Sequence, residues 1–337
     1  MRPYHKKAWT CAIIVTFTLF FYTFSFAQME NIKGVQFKDG SIIYGRVIKL
    51  NVNNIQIETK DGKIISRKVD DVEIFIKDTS VDVKAEEKES PKTLSNTRHT
   101  WEIGPEISYI EYKEPDVMSE KGTMFGIGAA YSYHNGVMIK VAGRFSYGQV
   151  DYQNSGTLNN IDDIIFEIRA LGGYDFKISS SFTMTPFIGF GYRYLRDDMA
   201  GRITSTGATG YLRESNYYYS PIGIEAANVF GKGWSAGVIL EYDYFWKGMQ
   251  KSYGSDVDAG YNDIENNQNS GYGVRGSISI KKQTDRVFFA IEPFIRYWNI
   301  DKSDVQNVTY FGSYTGVVAW EPKNESTEIG VKFVIGF

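Results

Sequence analysis

The sequence predicts an all-β chain: a ten-stranded antiparallel up-and-down transmembrane β-barrel from residue 99 to the end, preceded by a small β domain. Three observations predict the barrel: a period of two in hydrophobicity, the placement of charge on the face opposite the large hydrophobes, and the rhythm of the connections. Ten alternating segments can be read, at 101–112, 123–134, 137–152, 163–176, 182–195, 217–230, 234–248, 270–282, 286–300 and 327–337. The connections after the second, fourth, sixth and eighth are tight: Asn135-Gly136, 177–181, Gly231-Lys232-Gly233 and 283–285. Those after the odd-numbered segments read as long and polar, the longest being 196–216, 249–269 and 301–326. An even strand number with short turns at one rim and long loops at the other is the plan of an outer-membrane barrel.

Residues 1–27 read as an export signal. Arg2, Lys6 and Lys7 precede an apolar run, and Ser25-Phe26-Ala27 offers a small-x-small cleavage site. Removing them takes away three positive charges, so the formal net charge goes from −3 to −6. The only cysteine, Cys11, lies in this segment, so the exported chain would have no thiol for disulfide, metal or nucleophilic chemistry. An acidic exported chain is not a nucleic-acid binder, and no nucleic-acid partner is expected.

Residues 28–78 give five short strands. Asp39-Gly40 and Asp61-Gly62 are hairpin turns between β-branched runs, Gly45 marks a bend in the second strand, and Val69-Asp70-Asp71 precedes the last. This segment resembles an SH3-like or Sm-like small barrel, on turn chemistry alone. Sm-like relatives bind RNA, but the segment has no clustered basic face. About 50 residues bury little surface, and a spacer or docking module with a periplasmic partner is the expectation. Residues 79–98 are charged, aperiodic and contain Pro91, as a flexible linker would be.

Within the barrel the faces can be assigned. Phe182, Met184, Pro186, Ile188, Phe190, Tyr192 and Tyr194 share one side of a strand, and Thr183, Thr185, Phe187, Gly189, Gly191 and Arg193 the other. Val287, Phe289, Ile291, Pro293, Ile295 and Tyr297 oppose Phe288, Ala290, Glu292, Phe294 and Arg296. In the last strand Ile329, Val331, Phe333, Ile335 and Phe337 oppose Glu328, Gly330, Lys332 and Gly336. Ionised residues accompany the glycines, which suits a lipid-facing exterior and a polar interior. Aromatic residues are 15% of the chain, and many of the 24 Tyr stand at strand ends, as in an interfacial girdle.

The inward face carries Glu102, Glu106, Lys140, Arg144, Glu167, Arg169, Arg193, Glu225, Glu241, Asp243, Arg275, Glu292, Arg296, Glu328 and Lys332: eight acids and seven bases. Unpaired charge away from water is costly, so these residues are expected to pair across the lumen as a structural network that plugs it. Ten strands leave far less room than the 16–18 of an aqueous porin. A gated small-solute path is the alternative.

Catalytic and metal chemistry find little support. Ten strands and this loop plan resemble the omptin proteases, whose site combines acids with a histidine at the outer rim. Here His5 lies in the signal, His99 before the first strand and His134 at a short turn; Asp162, Asp163 and Asp243 are the loosely comparable acids. The same absence counts against the serine–histidine arrangement of the lipid A deacylases. The loop Asp256-Val-Asp258-Ala-Gly260-Tyr-Asn262-Asp263-Ile-Glu265 alternates oxygen ligands but misses the EF-hand spacing. No cofactor, metal or catalytic residue is expected.

From 101 to 337 the chain resembles the OmpA/OmpX-like outer-membrane barrel superfamily in a ten-stranded, omptin-sized form. The alternating strands and the terminal Ile329…Phe337 carry the resemblance. It implies the outer membrane of a Gram-negative bacterium, a lipid environment, and recognition of Phe337 by the barrel-assembly machinery. Both barrel ends should lie at the short-turn rim, which puts the N-terminal domain in the periplasm. The expected role is non-catalytic: envelope structure, or surface interaction with an extracellular ligand of the long loops. A narrow pore is the alternative, and a surface enzyme the third reading.

Overall fold

The computed structural model describes residues 32–50, 53–77 and 99–337; the expected signal at 1–27 and linker at 79–98 lie outside the described residues. The chain divides into two compact units, separated between Lys88 and Glu89.

The N-terminal unit is a five-stranded antiparallel sheet: β1 Ile32–Phe37, β2 Ile42–Leu50, β3 Asn54–Thr59, β4 Ile64–Lys68 and β5 Val72–Lys77, in the order β4-β3-β2-β1-β5. Gly40 and Gly62 adopt φ of +82° and +78°, the left-handed turn that the Asp-Gly pairs predict. Asp39 accepts a hydrogen bond from the Ser41 amide at 2.9 Å and fixes the first turn. Alternation brings Val35, Phe37, Val47, Ile55 and Ile57 into one buried cluster. Val69–Asp71 forms a single 3₁₀ turn leading into β5.

The second unit is a closed ten-strand barrel. Its wall consists of β6 His99–Glu114, β7 Met118–Asn135, β8 Val137–Asn154, β9 Gly156–Tyr174, β11 Phe182–Asp198, β12 Leu212–Gly231, β13 Trp234–Ser252, β15 Gly271–Gln283, β16 Phe288–Ile300 and β19 Asn324–Gly336. Each pairs antiparallel with the next, and β19 pairs with β6 to close the ring. At the seam Trp101 and Phe337 exchange backbone hydrogen bonds of 2.9 and 3.0 Å, so both ends of the barrel meet at the short-turn rim. Four shorter strands complete the set. β10 Phe176–Lys177 and β14 Ile264–Gln268 add to β11 and β13, while β17 Gln306–Tyr310 and β18 Ser313–Ala319 form a separate hairpin.

The predicted faces hold. Ile188, Phe190, Phe289, Ile291, Phe333 and Ile335 are all exposed on the outer surface, whereas Thr185, Arg193, Phe294 and Glu328 are buried inside. A belt of exposed apolar side chains on a barrel with polar contents is the surface that a bilayer covers. The belt stops below the long-loop rim. There the outward positions of the same strands become Lys113, Lys121, Asp151, Arg196 and Glu214, each one to three residue pairs above an outward Tyr109, Phe125, Tyr147, Tyr194 or Tyr218.

This polar extension corrects the expected loop plan. The stretches 113–122 and 153–162 are not long connections: strand continues through them, leaving only 115–117 and Ser155 as turns. β11 runs on to Asp198, β12 begins at Leu212, and β13 reaches Ser252. The loop 301–326 contains the β17–β18 hairpin and the start of β19. Above the belt the outward face turns polar, so the alternation of an apolar outside with a charged inside fades in the sequence while the hydrogen-bonded ladder continues.

Candidate functional site

The barrel interior is arranged in levels. At mid-height, inward residues of β6, β8, β9, β15, β16 and β19 converge. Arg144 donates through Nε to Glu167 (2.8 Å), through Nη1 to Glu106 (3.2 Å) and through both Nη atoms to Glu328 (3.0 Å each). Arg296 donates to Glu328 (3.1 Å) and Glu106 (3.2 Å). Arg275 donates through Nη1 to Glu167 (2.9 Å) and through Nε to Asp243 (2.6 Å), with Glu241 3.2 Å away. Arg169 pairs with Glu241 at 2.6 Å. The Tyr219 hydroxyl donates to Glu167 and accepts from Arg275. Glu167 and Glu328 are each only 2% exposed. Carboxylates this deep are tolerable because planar guanidinium forks supply several donors to each. Small residues make the room: Gly126 sits against Glu106, and a side chain at Gly191 would meet the Tyr219 ring.

Toward the short-turn rim the network loosens around a cavity of about 180 Å³. Glu102 approaches Lys140 only to 3.9 Å. Glu225, Glu292 and Lys332 line the cavity with no ion-pair partner within 4.0 Å among the described residues. Arg193 is also apart: it lies 5.4 Å over the Trp298 ring and its Nε has no hydrogen-bond partner. The predicted set of fifteen is therefore not one continuous network. Eleven of its members make ion pairs, nine of them at mid-height, where arginine forks reach across; the other two, Glu102 and Lys140, belong to the lysine level, which borders open volume instead.

Toward the long-loop rim the lumen is filled. Tyr217, Tyr219, Phe245, Trp298 and Ile300 form one buried cluster, and Ile110, Met124, Val150, Ile161, Ile165 and Met199 another. Above the belt stands a second charged group that the sequence reading did not find. Arg213 reaches Glu114 (2.8 Å), Asp197 (3.2 Å) and Glu120 (3.5 Å). The Tyr112 hydroxyl lies 3.2 Å from Glu114 and 3.1 Å from Glu321, bringing in a fourth acid. One base faces four acids, and Glu120 Oε1 and Asp197 Oδ1 are buried without a hydrogen-bond partner. Burial pushes the Glu321 carboxyl up to about 7, against the pull of Arg213 and with Glu114 adding repulsion. Continued charge alternation at Glu114, Glu120, Asp197 and Arg213 was the available signal, had the strands been extended past the belt.

The comparable acids do not assemble. Asp162 points outward to Tyr147 (2.7 Å) and Gln149 (3.1 Å), Asp163 points inward, and Asp243 belongs to the mid-height network. His99 contacts Tyr131 and His134 contacts Asp175, at the short-turn rim. In the 256–265 loop the oxygens serve the backbone: Asp256 accepts from the Leu212 amide, Asp258 from the Gly260 amide, and Asn262 from the Thr309 amide.

At the long-loop rim the β17–β18 hairpin carries the most exposed aromatic of the barrel, Phe311 at 78%, beside exposed Tyr314, Val317 and Trp320.

No protein-family model matches the chain, and no curated relative does. Among solved structures it is similar to the outer membrane protease OmpT of Escherichia coli, at 9% identity and a TM-score of 0.52, covering 74% of this chain and 99% of that one. Weaker likenesses are a TodX mutant, a monoaromatic hydrocarbon channel (9% identity, TM-score 0.31, 74% and 92% covered), and the toluene transporter TbuX of Ralstonia pickettii (8%, 0.32, 74% and 91%). At such identities the likeness is one of fold. The closed ten-strand wall, its apolar belt and its charged interior together give this chain the fold of a bacterial outer-membrane β-barrel.

Proposed function

We propose that the protein is a non-catalytic outer-membrane barrel whose lumen is closed and whose long-loop rim serves surface interaction. The mid-height network carries this reading. Arg275 reaches across the lumen to Glu167, Arg144 and Arg296 tie Glu106 and Glu328 into the same group, and the buried hydrophobic clusters above them support a closed lumen. Interaction then falls to the exposed loops on a rigid wall. The five-stranded sheet, with its order β4-β3-β2-β1-β5 and its 3₁₀ turn before β5, supports an SH3-like docking module for a periplasmic partner. The absence of a histidine near the outer acids supports a role without catalysis, in contrast to the protease that shares the fold.

Planar-bilayer conductance of the folded protein, with heat-shifted gel mobility as the folding control, tests the closed lumen. Silent traces are expected. Steady ion-selective steps that change on Arg296→Gln would replace this reading with a narrow pore. The cavity of about 180 Å³, lined by Lys140, Glu292 and Lys332, is the observation that favours that second reading.

A further inference from the structure

We propose that the outer edge of β18 is a pairing edge for the same edge of a second copy of this chain, so that neighbouring barrels join through their hairpins. The inference rests on the reading that the long-loop rim serves surface interaction, and it is independent of whether the lumen conducts.

The hairpin is asymmetric. The outer side of β17 is covered: the Asn262 amide donates to Thr309 O (3.2 Å), the Phe311 amide donates to Gly260 O (2.7 Å), and Tyr261 bridges Tyr310. β18 pairs only with β17, and Ser313 to Val318 are exposed without interruption. Its other edge therefore presents backbone donors and acceptors to solvent, which is a template for another strand.

Exposed edges are normally guarded by charge or proline. Here the guard is missing. The sixteen residues Val305 to Trp320 contain no Asp, Glu, Lys, Arg, His or Pro, in a chain that is 23% charged. Charge returns at Asp304 and Glu321 on either side. The outward positions of the barrel wall at this rim, by contrast, include the charged Lys113, Lys121, Asp151, Arg196 and Glu214.

This composition selects the partner. Two copies of one edge carry the same net charge, so a charged edge repels its own copy, and any like charges brought opposite each other destabilise the strand pair. An edge without charge is the kind that can meet itself. The β-branched and aromatic content of Tyr314, Thr315, Val317 and Val318 suits cross-strand packing. Phe311 adds an exposed ring at the tip, on a backbone held at φ +46°, where a two-residue turn ordinarily takes Asn or Gly. Membrane anchoring completes the argument, because every barrel holds its hairpin at the same height and orientation. A seven-residue edge spans only about 23 Å. Such a contact is small for a dimer in dilute solution, so membrane confinement is what makes it effective.

The test uses the full chain with Cys11→Ser, reconstituted in phosphatidylethanolamine/phosphatidylglycerol vesicles and oxidised mildly. Val317→Cys should yield a disulfide-linked dimer, with Thr315→Cys as the second position. Ser155→Cys, at the β8–β9 turn of the same rim, should remain at least ten-fold less dimerised. Adding Val318→Lys to Val317→Cys should lower the dimer by ten-fold or more while heat-shifted mobility stays unchanged. Dimer no more abundant than with Ser155→Cys, or undiminished by the added lysine, overturns the proposal. A barrel that conducts yet cross-links through β18 would retire the closed lumen alone; a silent barrel that fails to cross-link would retire only the self-pairing.

Discussion

The two charged levels of this barrel use the same residue types to opposite ends. At mid-height four arginines (144, 169, 275 and 296) pair with five carboxylates (106, 167, 241, 243 and 328), three of which accept from two or more donors, while Arg193 stands apart over Trp298. Above the belt one arginine serves Glu114, Glu120, Asp197 and, through Tyr112, Glu321. Buried charge is stabilising only where geometry and donors are complete. The balanced level should therefore behave as fixed architecture, and the unbalanced one as a group whose stability follows protonation.

Breaking the balanced level should have the largest effect. Arg275→Met leaves Glu167 and Asp243 short of a guanidinium in a site they cannot leave. A loss of about 3–5 kcal/mol is expected from breaking a buried pair on one side. Urea unfolding in detergent micelles, followed by heat-shifted mobility, measures it. A loss below about 1 kcal/mol would mean that water already screens this level.

The unbalanced level should instead show itself in pH. Glu321 has a carboxyl raised to about 7 from an ordinary value of 4.5. A raised folded value contributes stability that is fully present below about 4.5 and is lost as pH rises through about 7. The loss should be on the order of 3 kcal/mol at most. Unfolding midpoints at pH 5 and pH 8 should converge in Glu321→Gln and remain apart in the unmodified chain. Equal midpoints in both would show that the Tyr112–Glu321 contact does not hold the proton.

Much of the barrel was legible because lipid imposes a single rule on one face. Ile188, Phe190, Phe289 and Phe333 had to be apolar, so their strands announced themselves, and Arg193, Glu292 and Lys332 fell on the inner face by parity. Lipid imposes nothing above the belt. Ser119, Lys121 and Thr123 are polar outside just as Glu120 is polar inside, and the strand disappears from a hydrophobicity reading there. Arg213 and Glu120 were missed for that reason. Pairing partners were hidden for another: Arg144 and Glu328 are 184 residues apart, and only closure of β19 on β6 brings them together. The unguarded hairpin, conversely, shows in the sequence only as a run without charge inside the long connection 301–326.

The smallest effect is also the sharpest contrast, because one substitution should change sign between the levels. Glu328 accepts from Ser108 (2.9 Å), from Arg144 and from Arg296. Glu328→Gln keeps the volume but removes the charge those two arginines share, and a loss of about 2 kcal/mol is expected for charged hydrogen bonds in a buried site. Glu120 has one arginine nitrogen at 3.5 Å, and its Oε1 has no partner. Glu120→Gln removes a surplus negative charge beside Asp197 and leaves Arg213 with Glu114 and Asp197. A gain of about 0.5–1 kcal/mol at pH 8 is expected from relieving like charges, and it should shrink at pH 5, where Glu120, its carboxyl pushed up by burial and by Asp197, itself takes up a proton. The urea midpoints of the two variants, taken side by side, decide the comparison. Destabilisation by both would make the upper cluster a second closed network, held together by a cation or by water that supplies what Arg213 lacks.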